Sequence, residues 1–291
     1  MTLSRAQALG IIGAAALLPS CGGGAGAIRI ASKNFTEEIL LAEIYAQALE
    51  RRGLRVERKF NLGSTQIVMA AMQRGDVDLY PEYTGTALVD ILHHAPVRDA
   101  AALEKIVRDG MLAKGITVMR PAPMNDSQAL ATTKAIARKY GIATLSQLAK
   151  VAPRLRLATI PEFLSRADGL PGLQKFYGGF KFADTKSYDI GLKYDALLQG
   201  KADVATAFTT DGAIAANDLV ALVDDRHFWP AYNPAPFVRT QTLAGHAEIG
   251  SLDAISAKIT DAIARSMNLA VEAEKQDPAD VAATFLKAHG S

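Results

Sequence analysis

Asp78-Leu79-Tyr80-Pro81-Glu82-Tyr83-Thr84-Gly85-Thr86 is the stretch that says most about the fold, and Ser32-Lys33-Asn34-Phe35-Thr36-Glu37-Glu38 is its counterpart upstream. Each follows a short strand-like run, and together they carry a cation, hydroxyl groups and phenol rings. A ligand with both a carboxylate and a soft organic cation requires those groups, because carboxylates pair with cations and organic cations lie on aromatic faces. The two stretches therefore predict a site for a small ligand of this kind.

Strand-like runs alternate with amphipathic segments along most of the chain. Strands are predicted at residues 27–31, 54–60, 77–80, 116–119, 129–132, 155–160 and 203–208, with helices in most of the gaps. This order predicts an α/β protein with mostly parallel sheets. In open sheets of this kind ligands bind at the carboxyl ends of strands and near helix N-termini, which is where Lys33 and Tyr83 lie.

Three local patterns give finer predictions. Asn34 is predicted to cap the first helix, with Glu37 closing a capping box. The run Gly200-Lys201-Ala202-Asp203-Val204 repeats Gly75-Asp76-Val77-Asp78, each between a helix and a strand, which suggests two lobes of similar build. Residues 251–289 are predicted to form two helices.

The composition is that of an ordinary globular protein. The chain has 291 residues, of which 49% are hydrophobic and 21% charged, and its length fits one large domain or two smaller ones. The formal net charge is +2, and the basic residues are scattered among acidic ones. This distribution is typical of solvated faces and argues against nucleic acid as a partner.

Residues 1–26 differ from the rest of the chain and are predicted to be a signal peptide and tether. Arg5 precedes an unbroken small and apolar run at 8–18, which is too short to span a bilayer but typical of a secretory signal. Cys21, the only cysteine, precedes a glycine-rich run and resembles a bacterial lipoprotein processing site, although Pro19 departs from that pattern. We expect lipidation at Cys21, and a plain signal peptide is the alternative. Both interpretations predict a mature protein in the periplasm or on the outer face of the cytoplasmic membrane.

The sequence gives no pattern of a catalytic or metal site. The five histidines lack the spacing of a helical zinc pair, and no Gly-x-Ser-x-Gly elbow, phosphate-binding loop or Cys-x-x-Cys motif occurs. We therefore predict that the protein is not an enzyme and uses no cofactor or metal.

Four further segments join the two stretches above in a recognisable order: Asn61-Leu62-Gly63-Ser64-Thr65, Glu162 with Arg166-Ala167-Asp168-Gly169-Leu170-Pro171-Gly172-Leu173, Thr209-Thr210-Asp211-Gly212, and Asp224-Asp225 with Phe228-Trp229-Pro230-Ala231-Tyr232. With these motifs, essentially the whole mature chain resembles the substrate-binding proteins of osmoprotectant ABC importers. That family binds glycine betaine, choline and carnitine.

The resemblance implies a type II periplasmic-binding fold with two lobes, between which the chain crosses twice. The crossings are expected near 125–131 and 229–237, so that 27–125 with 236–291 forms the first lobe and 126–235 the second. It also implies that a monomer captures a small quaternary-ammonium or betaine-like zwitterion in the interlobe cleft. The closed form would then dock on a membrane permease driven by a cytoplasmic ATPase.

A quaternary ammonium has no N–H to donate, so aromatic faces select it through cation–π attraction of about 0.5–2 kcal/mol per ring. In this family, tyrosine rings surround the cation and form an aromatic box. The resemblance implies that Tyr83 and Tyr232 occupy two positions of this box. Gln128 and Phe208 stand at two other positions where the family has tyrosine. The box is therefore expected to be incomplete, because Gln128 offers no aromatic face whereas Phe208 still does.

The resemblance also implies that Lys33, Thr86 and Arg166 grip an acidic head group. Asp126 either attracts the ligand's cation or caps the crossover turn. The remaining predicted ligand-binding residues are Asn34 and Thr210.

Some of these residues have a structural alternative. Tyr80 and Tyr83 cannot both face the site from one tight turn, and Tyr83 is the one predicted to do so. Arg166 could instead pair with Glu162 on a helix, and Phe208 could belong to the core.

Two other functions stay open on the sequence alone. A member of this family could have drifted to another ligand, such as a larger betaine, an amino acid or a polar solute that bonds to Gln128. A surface-anchored hydrolase or transferase could also use the same scaffold, because a fold does not fix a function.

Overall fold

The computed structural model describes residues 26–290. Its strands are β1 (Ile28–Ala31), β2 (Val56–Lys59), β3 (Leu79–Tyr83), β4 (Ile116–Val118), β5 (Gln128–Thr133), β6 (Arg156–Thr159), β7 (Asp184–Ser187), β8 (Val204–Phe208), β9 (Leu219–Ala221) and β10 (Pro234–Arg239). Its helices are α1 (Thr36–Glu50), α2 (Thr65–Arg74), α3 (Thr84–Thr86), α4 (Ala100–Leu112), α5 (Lys134–Tyr140), α6 (Leu145–Val151), α7 (Pro161–Ser165), α8 (Leu170–Tyr177), α9 (Lys193–Leu198), α10 (Gly212–Ala216), α11 (Thr240–Gly245), α12 (Leu252–Ser256), α13 (Asp261–Glu272) and α14 (Pro278–His289). A π-helical turn follows α3 at Ala87–Ile91.

The predicted lipidation site, Cys21, and almost all of the predicted signal segment lie outside the described residues. Among the helices of the described part, none combines the length and the apolar character needed to cross a bilayer.

Two five-stranded sheets share one pattern of strand order. The first sheet is ordered β2-β1-β3-β10-β4 and the second β7-β6-β8-β5-β9. In each sheet the second strand pairs in parallel with the first and third, and the fourth runs antiparallel to both of its neighbours. The prediction of mostly parallel sheets is therefore wrong. β5 and β10 each enter a sheet directly from the other lobe and run away from the cleft, whereas the strands beside them run toward it.

The two sheets define two lobes, and the chain passes between them twice, after β4 and after β9. The two crossing segments lie side by side: the Asp126 N–H donates to the Tyr232 carbonyl over 3.1 Å, and Asn233 Nδ2 donates to the Met124 carbonyl over 2.7 Å. The predicted α/β two-lobed fold with two crossings is confirmed. The residue at which each predicted lobe begins or ends stays a prediction.

The sequence repeat between the lobes corresponds to the same contact made twice. Asp78 accepts hydrogen bonds from the Arg29 backbone N–H, Nε and Nη2, over 3.0, 2.7 and 2.8 Å. Asp203 accepts from the same three groups of Arg156, over 2.9, 2.9 and 3.0 Å. Asp78, just before β3, thus fixes the register of β1, and Asp203, just before β8, fixes that of β6.

The predicted capping box at the start of α1 is absent. The helix begins at Thr36 after Phe35, and no side chain caps it. The Asn34 N–H donates to the Gly63 carbonyl over 3.2 Å, and its side chain is exposed. Glu37 turns inward to Tyr83 and Asn268 and is only 6% exposed, so tertiary contacts override the local capping pattern.

Candidate ligand-binding cleft

A small cavity of about 50 Å³ lies where the two crossing segments meet the lobes. It is lined by Tyr83, Thr86, Asp126, Gln128, Ile160, Glu162, Phe163, Arg166, Phe208 and Tyr232. The structure therefore brings together seven of the ten residues predicted from sequence, from positions as far apart as Tyr83 and Tyr232. Asn34 lines a different cavity, and neither Lys33 nor Thr210 lines this one.

A larger cavity of about 740 Å³ adjoins it and is walled by both lobes. Asp126 lines both cavities, which makes them neighbouring compartments of one cleft. In the larger one, α1 and the end of α13 face α9 and α10. Its polar and aromatic wall includes Asn34, Phe35, Glu37, Lys193, Tyr194, Asp211 and Glu272.

Arg166 is held by a buried carboxylate at the turn between α7 and α8. Its Nε and Nη2 donate to the two oxygens of Asp168 over 2.8 and 2.6 Å, and Asp168 is fully buried. The remaining nitrogen, Nη1, faces the first lobe and lies 3.8 Å from the Asp90 carboxylate. The alternative that Arg166 pairs with Glu162 is not what the structure shows. The guanidinium keeps its charge, because hydrogen bonds and the charge of Asp168 outweigh burial and raise its pKa.

Three more side chains converge on Asp168. The Tyr232 hydroxyl donates to its carboxylate over 2.5 Å, and Trp229 Nε1 donates to its backbone carbonyl over 2.8 Å. Gln128 Nε2 donates to the Tyr232 oxygen over 2.9 Å and to the same carbonyl over 3.4 Å. The Tyr232 proton is committed to Asp168, so the amide nitrogen of Gln128 must face this network and its oxygen is left for the cavity.

Lys33 is an internal ion-pair partner. Its ammonium lies 2.6 Å from Glu82 and 3.4 Å from Glu38, and both acids are fully buried. Burial opposes the charge on Lys33, but the two carboxylates outweigh it and raise its pKa. Burial also raises the pKa of Glu38, to about 8. The ammonium stands 4.6 Å from the Tyr83 ring centroid, so a cation already covers one face of that ring.

Tyr83 and Tyr80 point to different partners, as predicted, but they lie in strand β3 and not in the tight turn on which that prediction was based. Residues three apart on a strand face opposite sides of the sheet. The Tyr83 hydroxyl donates to Glu37 over 2.6 Å, and the ring lines the small cavity. Tyr80 is fully buried and donates to Glu82 over 3.1 Å. Glu37 also accepts from Asn268 over 2.7 Å, and burial raises its pKa.

The carboxylate of Asp126, on the first crossing, is held by Thr210, which follows β8. One of its oxygens accepts from the Thr210 hydroxyl over 2.6 Å and from the Thr210 N–H over 3.3 Å. Within residues 26–290 its other oxygen accepts no hydrogen bond, and burial followed by the charge of Glu37 raises its pKa well above the usual range. Thr210 is thus a structural support for Asp126, and its carbonyl accepts from Asn268 of the other lobe over 2.9 Å.

Sequence reasoning missed Lys193, Tyr194 and Glu272. Lys193 and Tyr194 open α9, and a helix N-terminus facing the cleft is a position where ligands bind in open α/β sheets, so this general rule could have singled them out. Glu272 stands at the end of α13 and accepts from the Ala213 N–H over 3.0 Å across the lobes. Nothing in its local sequence marks that contact. Among residues 26–290, no cluster of histidine, cysteine, aspartate and glutamate has the arrangement of a metal site.

A family model described as "Substrate binding domain of ABC-type glycine betaine transport system" matches residues 26–288. The chain belongs to this family. It is 36% identical over 273 residues to a glycine-betaine-binding protein of Pseudomonas aeruginosa, covering 90% of this chain and 88% of that one. It is 32% identical over 263 residues to an ergothioneine transport permease/ergothioneine binding protein of Helicobacter pylori, covering 90% of this chain and 47% of that longer protein.

A solved structure titled as a glycine betaine/carnitine/choline ABC transporter superposes with a TM-score of 0.74 at 31% identity, covering 90% of this chain and 98% of that one. The resemblance stated from sequence is therefore confirmed, and with it the role of a solute-binding component. The contact of individual side chains with a ligand stays a prediction.

We predict that Asp168→Asn destabilises the protein strongly, because it leaves the buried Arg166 guanidinium with no carboxylate nearer than that of Asp90, 3.8 Å away. Breaking a buried pair in this way costs about 3–5 kcal/mol. Thermal and urea unfolding would measure the loss. Asp203→Asn is the matched control, since Asp203 makes the same fork with Arg156 on a more exposed surface, where the effect should be about 1 kcal/mol or less. Equal losses in the two variants would contradict the central role of Asp168.

A second prediction concerns Glu272, whose pKa is raised to about 7 by burial and then by the charge of Asp211. The folded protein holds this proton more tightly than the unfolded chain, so its contribution to stability is greatest at low pH and is lost as the pH rises toward 7. Glu272→Gln should therefore flatten the fall of the free energy of unfolding from pH 5 to 7, by up to about 1.4 kcal/mol per pH unit. The control is Glu274→Gln on the exposed neighbouring turn. Parallel curves for wild type and Glu272→Gln would reject the prediction.

Proposed function

We propose that this protein is the extracytoplasmic solute-binding component of an ABC importer and captures a small quaternary-ammonium or betaine-like zwitterion between its lobes. The observation that carries the proposal is the convergence of Tyr83, Tyr232 and Arg166 on one interlobe cavity. The rings suit an organic cation, and Nη1 of the guanidinium, which donates no hydrogen bond within residues 26–290 and lies 3.8 Å from Asp90, suits a carboxylate. Similarity to relatives that include a glycine-betaine-binding protein supports this assignment.

Binding in this cleft requires the lobes to open and close. The small cavity of about 50 Å³ is far below the roughly 300–1,000 Å³ of ordinary ligand pockets, so a solute enters only when the lobes separate. Closure returns Arg166 toward Asp90 and restores the Thr210–Asn268 and Ala213–Glu272 bonds across the lobes. The closed form then excludes water from the bound zwitterion, which strengthens its polar contacts.

The same proposal covers location and partners. We propose that the mature protein works as a monomer in the periplasm or on the outer face of the cytoplasmic membrane, held there by lipidation of Cys21. Its partners are the permease and its ATPase, and it performs no turnover. Membership in a family of solute-binding proteins supports a role without catalysis.

Calorimetric titration of the mature protein tests the substrate class. The panel is glycine betaine, proline betaine, carnitine, choline, ergothioneine and common amino acids. We expect saturable binding of at least one quaternary amine with one site per chain. If no quaternary amine gives heat while an amino acid does, the proposed substrate class is wrong although the fold stands.

Arg166→Lys tests the proposed carboxylate contact without removing the charge that Asp168 needs. Lysine lacks the planar fork, so the variant should lose a charge-assisted hydrogen bond to glycine betaine, worth about tenfold or more in Kd. Choline has no carboxylate, so its Kd should change by less than about threefold if Arg166 acts as proposed. Equal weakening of both ligands would remove Arg166 from the anion site.

A second candidate, drift to a polar or amino-acid-like ligand, is favoured by Gln128. Its side-chain oxygen accepts no hydrogen bond within the described chain, and the residue lines the small cavity. That oxygen suits an N–H or O–H of a ligand, which glycine betaine lacks. The similarity to a longer relative described as ergothioneine-binding supports this candidate.

Gln128→Tyr separates the two candidates. A box short of one ring should gain glycine betaine affinity by about tenfold when the ring is restored, since one cation–π contact is worth up to about 2 kcal/mol. If the natural ligand bonds to the Gln128 oxygen, the variant instead loses that ligand and gains nothing for betaine. Titration of both proteins with glycine betaine and ergothioneine distinguishes these outcomes.

A further inference from the structure

The ammonium of Lys193 occupies an aromatic box in the second lobe. Its Nζ lies 4.7 Å from the centroid of the Tyr194 ring and 4.9 Å from that of Phe208. The carboxylate of Asp211 lies 3.1 Å from the same nitrogen. Two ring faces with one carboxylate form an arrangement that attracts organic cations, and here the protein's own side chain fills it.

This box stands at the junction of the two cleft compartments. Lys193 is only 3% exposed and lines the larger cavity, whereas Phe208 lines the smaller one. Asp126 borders both. Phe208, which the family resemblance predicts to face the ligand's cation, therefore already carries a cation on one face of its ring.

Lys193 differs from the other buried lysine of the cleft. Lys33 is fixed by two carboxylates, Glu38 and Glu82, and lines neither cavity. Among residues 26–290, Lys193 has one carboxylate within ion-pair distance, that of Asp211. It borders a space of about 740 Å³ into which its flexible four-carbon side chain can swing. Without Lys193, Asp211 would still accept from the Tyr194 hydroxyl over 2.5 Å and from the Phe208 N–H over 3.0 Å.

We propose that Lys193 is a specificity-determining residue that competes with a ligand's quaternary ammonium for the box formed by Tyr194, Phe208 and Asp211. A permanent cation reaches these rings only when Lys193 leaves them for the larger cavity. The lysine thereby weakens the binding of simple quaternary amines. It favours ligands whose other groups make contacts that offset the free-energy cost of moving the Lys193 ammonium out of the box. The inference rests on the proposed function and names the residue that tunes it.

Lys193→Met removes the competing charge and keeps an apolar side chain of similar length. Its Kd for choline and for glycine betaine should fall by about tenfold relative to wild type, the size of one or two cation–π contacts. Lys139→Met is the matched control, because Lys139 also lies over a ring, 5.2 Å from the Tyr140 centroid, but on the exposed surface away from the cleft. It should leave both Kd values unchanged.

Three further measurements locate the effect. Adding Phe208→Leu to the Lys193→Met variant should abolish the gain, and Lys193→Arg should show none, because arginine restores a cation. Lys193→Gln is expected to reproduce the gain and replaces the methionine variant if that one does not fold. Unchanged or weaker binding of quaternary amines in both neutral variants would overturn the proposal.

Tetramethylammonium gives a readout that does not depend on the natural ligand. Millimolar tetramethylammonium should raise the unfolding temperature of Lys193→Met and not that of wild type, because the small cation refills the box. If wild type binds no quaternary amine, the proposed function fails, yet this stabilisation still supports the box. If the variant is not stabilised either, the inference about Lys193 fails as well.

Discussion

The buried ion pair between Arg166 and Asp168 is the interaction on which the rest of the cleft depends. The aspartate lies between two helices of the second lobe, and it receives Tyr232 and Trp229 from the second crossing. Gln128, at the first strand after the other crossing, joins the same network. Asp168 thus fixes side chains from three separate parts of the chain through its carboxylate and its backbone carbonyl. Because an unpaired charge would be very unfavourable at this depth, the turn between α7 and α8 and the crossing segments that contact it stabilise one another.

The same rule governs the other charged groups of the cleft. Lys33 is balanced by Glu38 and Glu82, and Lys193 by Asp211, so each buried cation brings its own acid. Each ion pair offsets the unfavourable burial of its charges without any bound solute. The proposed ligand therefore meets side chains whose charges are already paired, and its binding depends on whether it can replace or extend one of these pairs.

Much of the fold was predictable because it depends on local sequence. β1 and β8 are mostly apolar runs, and their positions were predicted to within one residue. β3 was predicted only in part, because a tight turn was predicted at Tyr80–Tyr83, which is strand. β7 was missed since all four of its residues are polar and exposed, and β10 since Pro234 and Pro236 break the usual strand pattern. β7 and β10 had no local sequence signal, because pairing with neighbouring strands makes them strands and their composition does not.

The residues of the candidate site were also predictable only in part. Seven residues that line the small cavity were found through family motifs, yet motifs record residue type and not what already touches it. Tyr83 and Phe208 keep aromatic rings, but lysine ammonium groups lie over both. Lys193 approaches Phe208 from fifteen positions upstream and across a strand, so no short pattern could have revealed the contact. Two chains with identical motifs can therefore differ in the cation they accept. The proposed competition by Lys193 makes the choice of cargo depend on the internal charges around the rings as well as on the rings themselves.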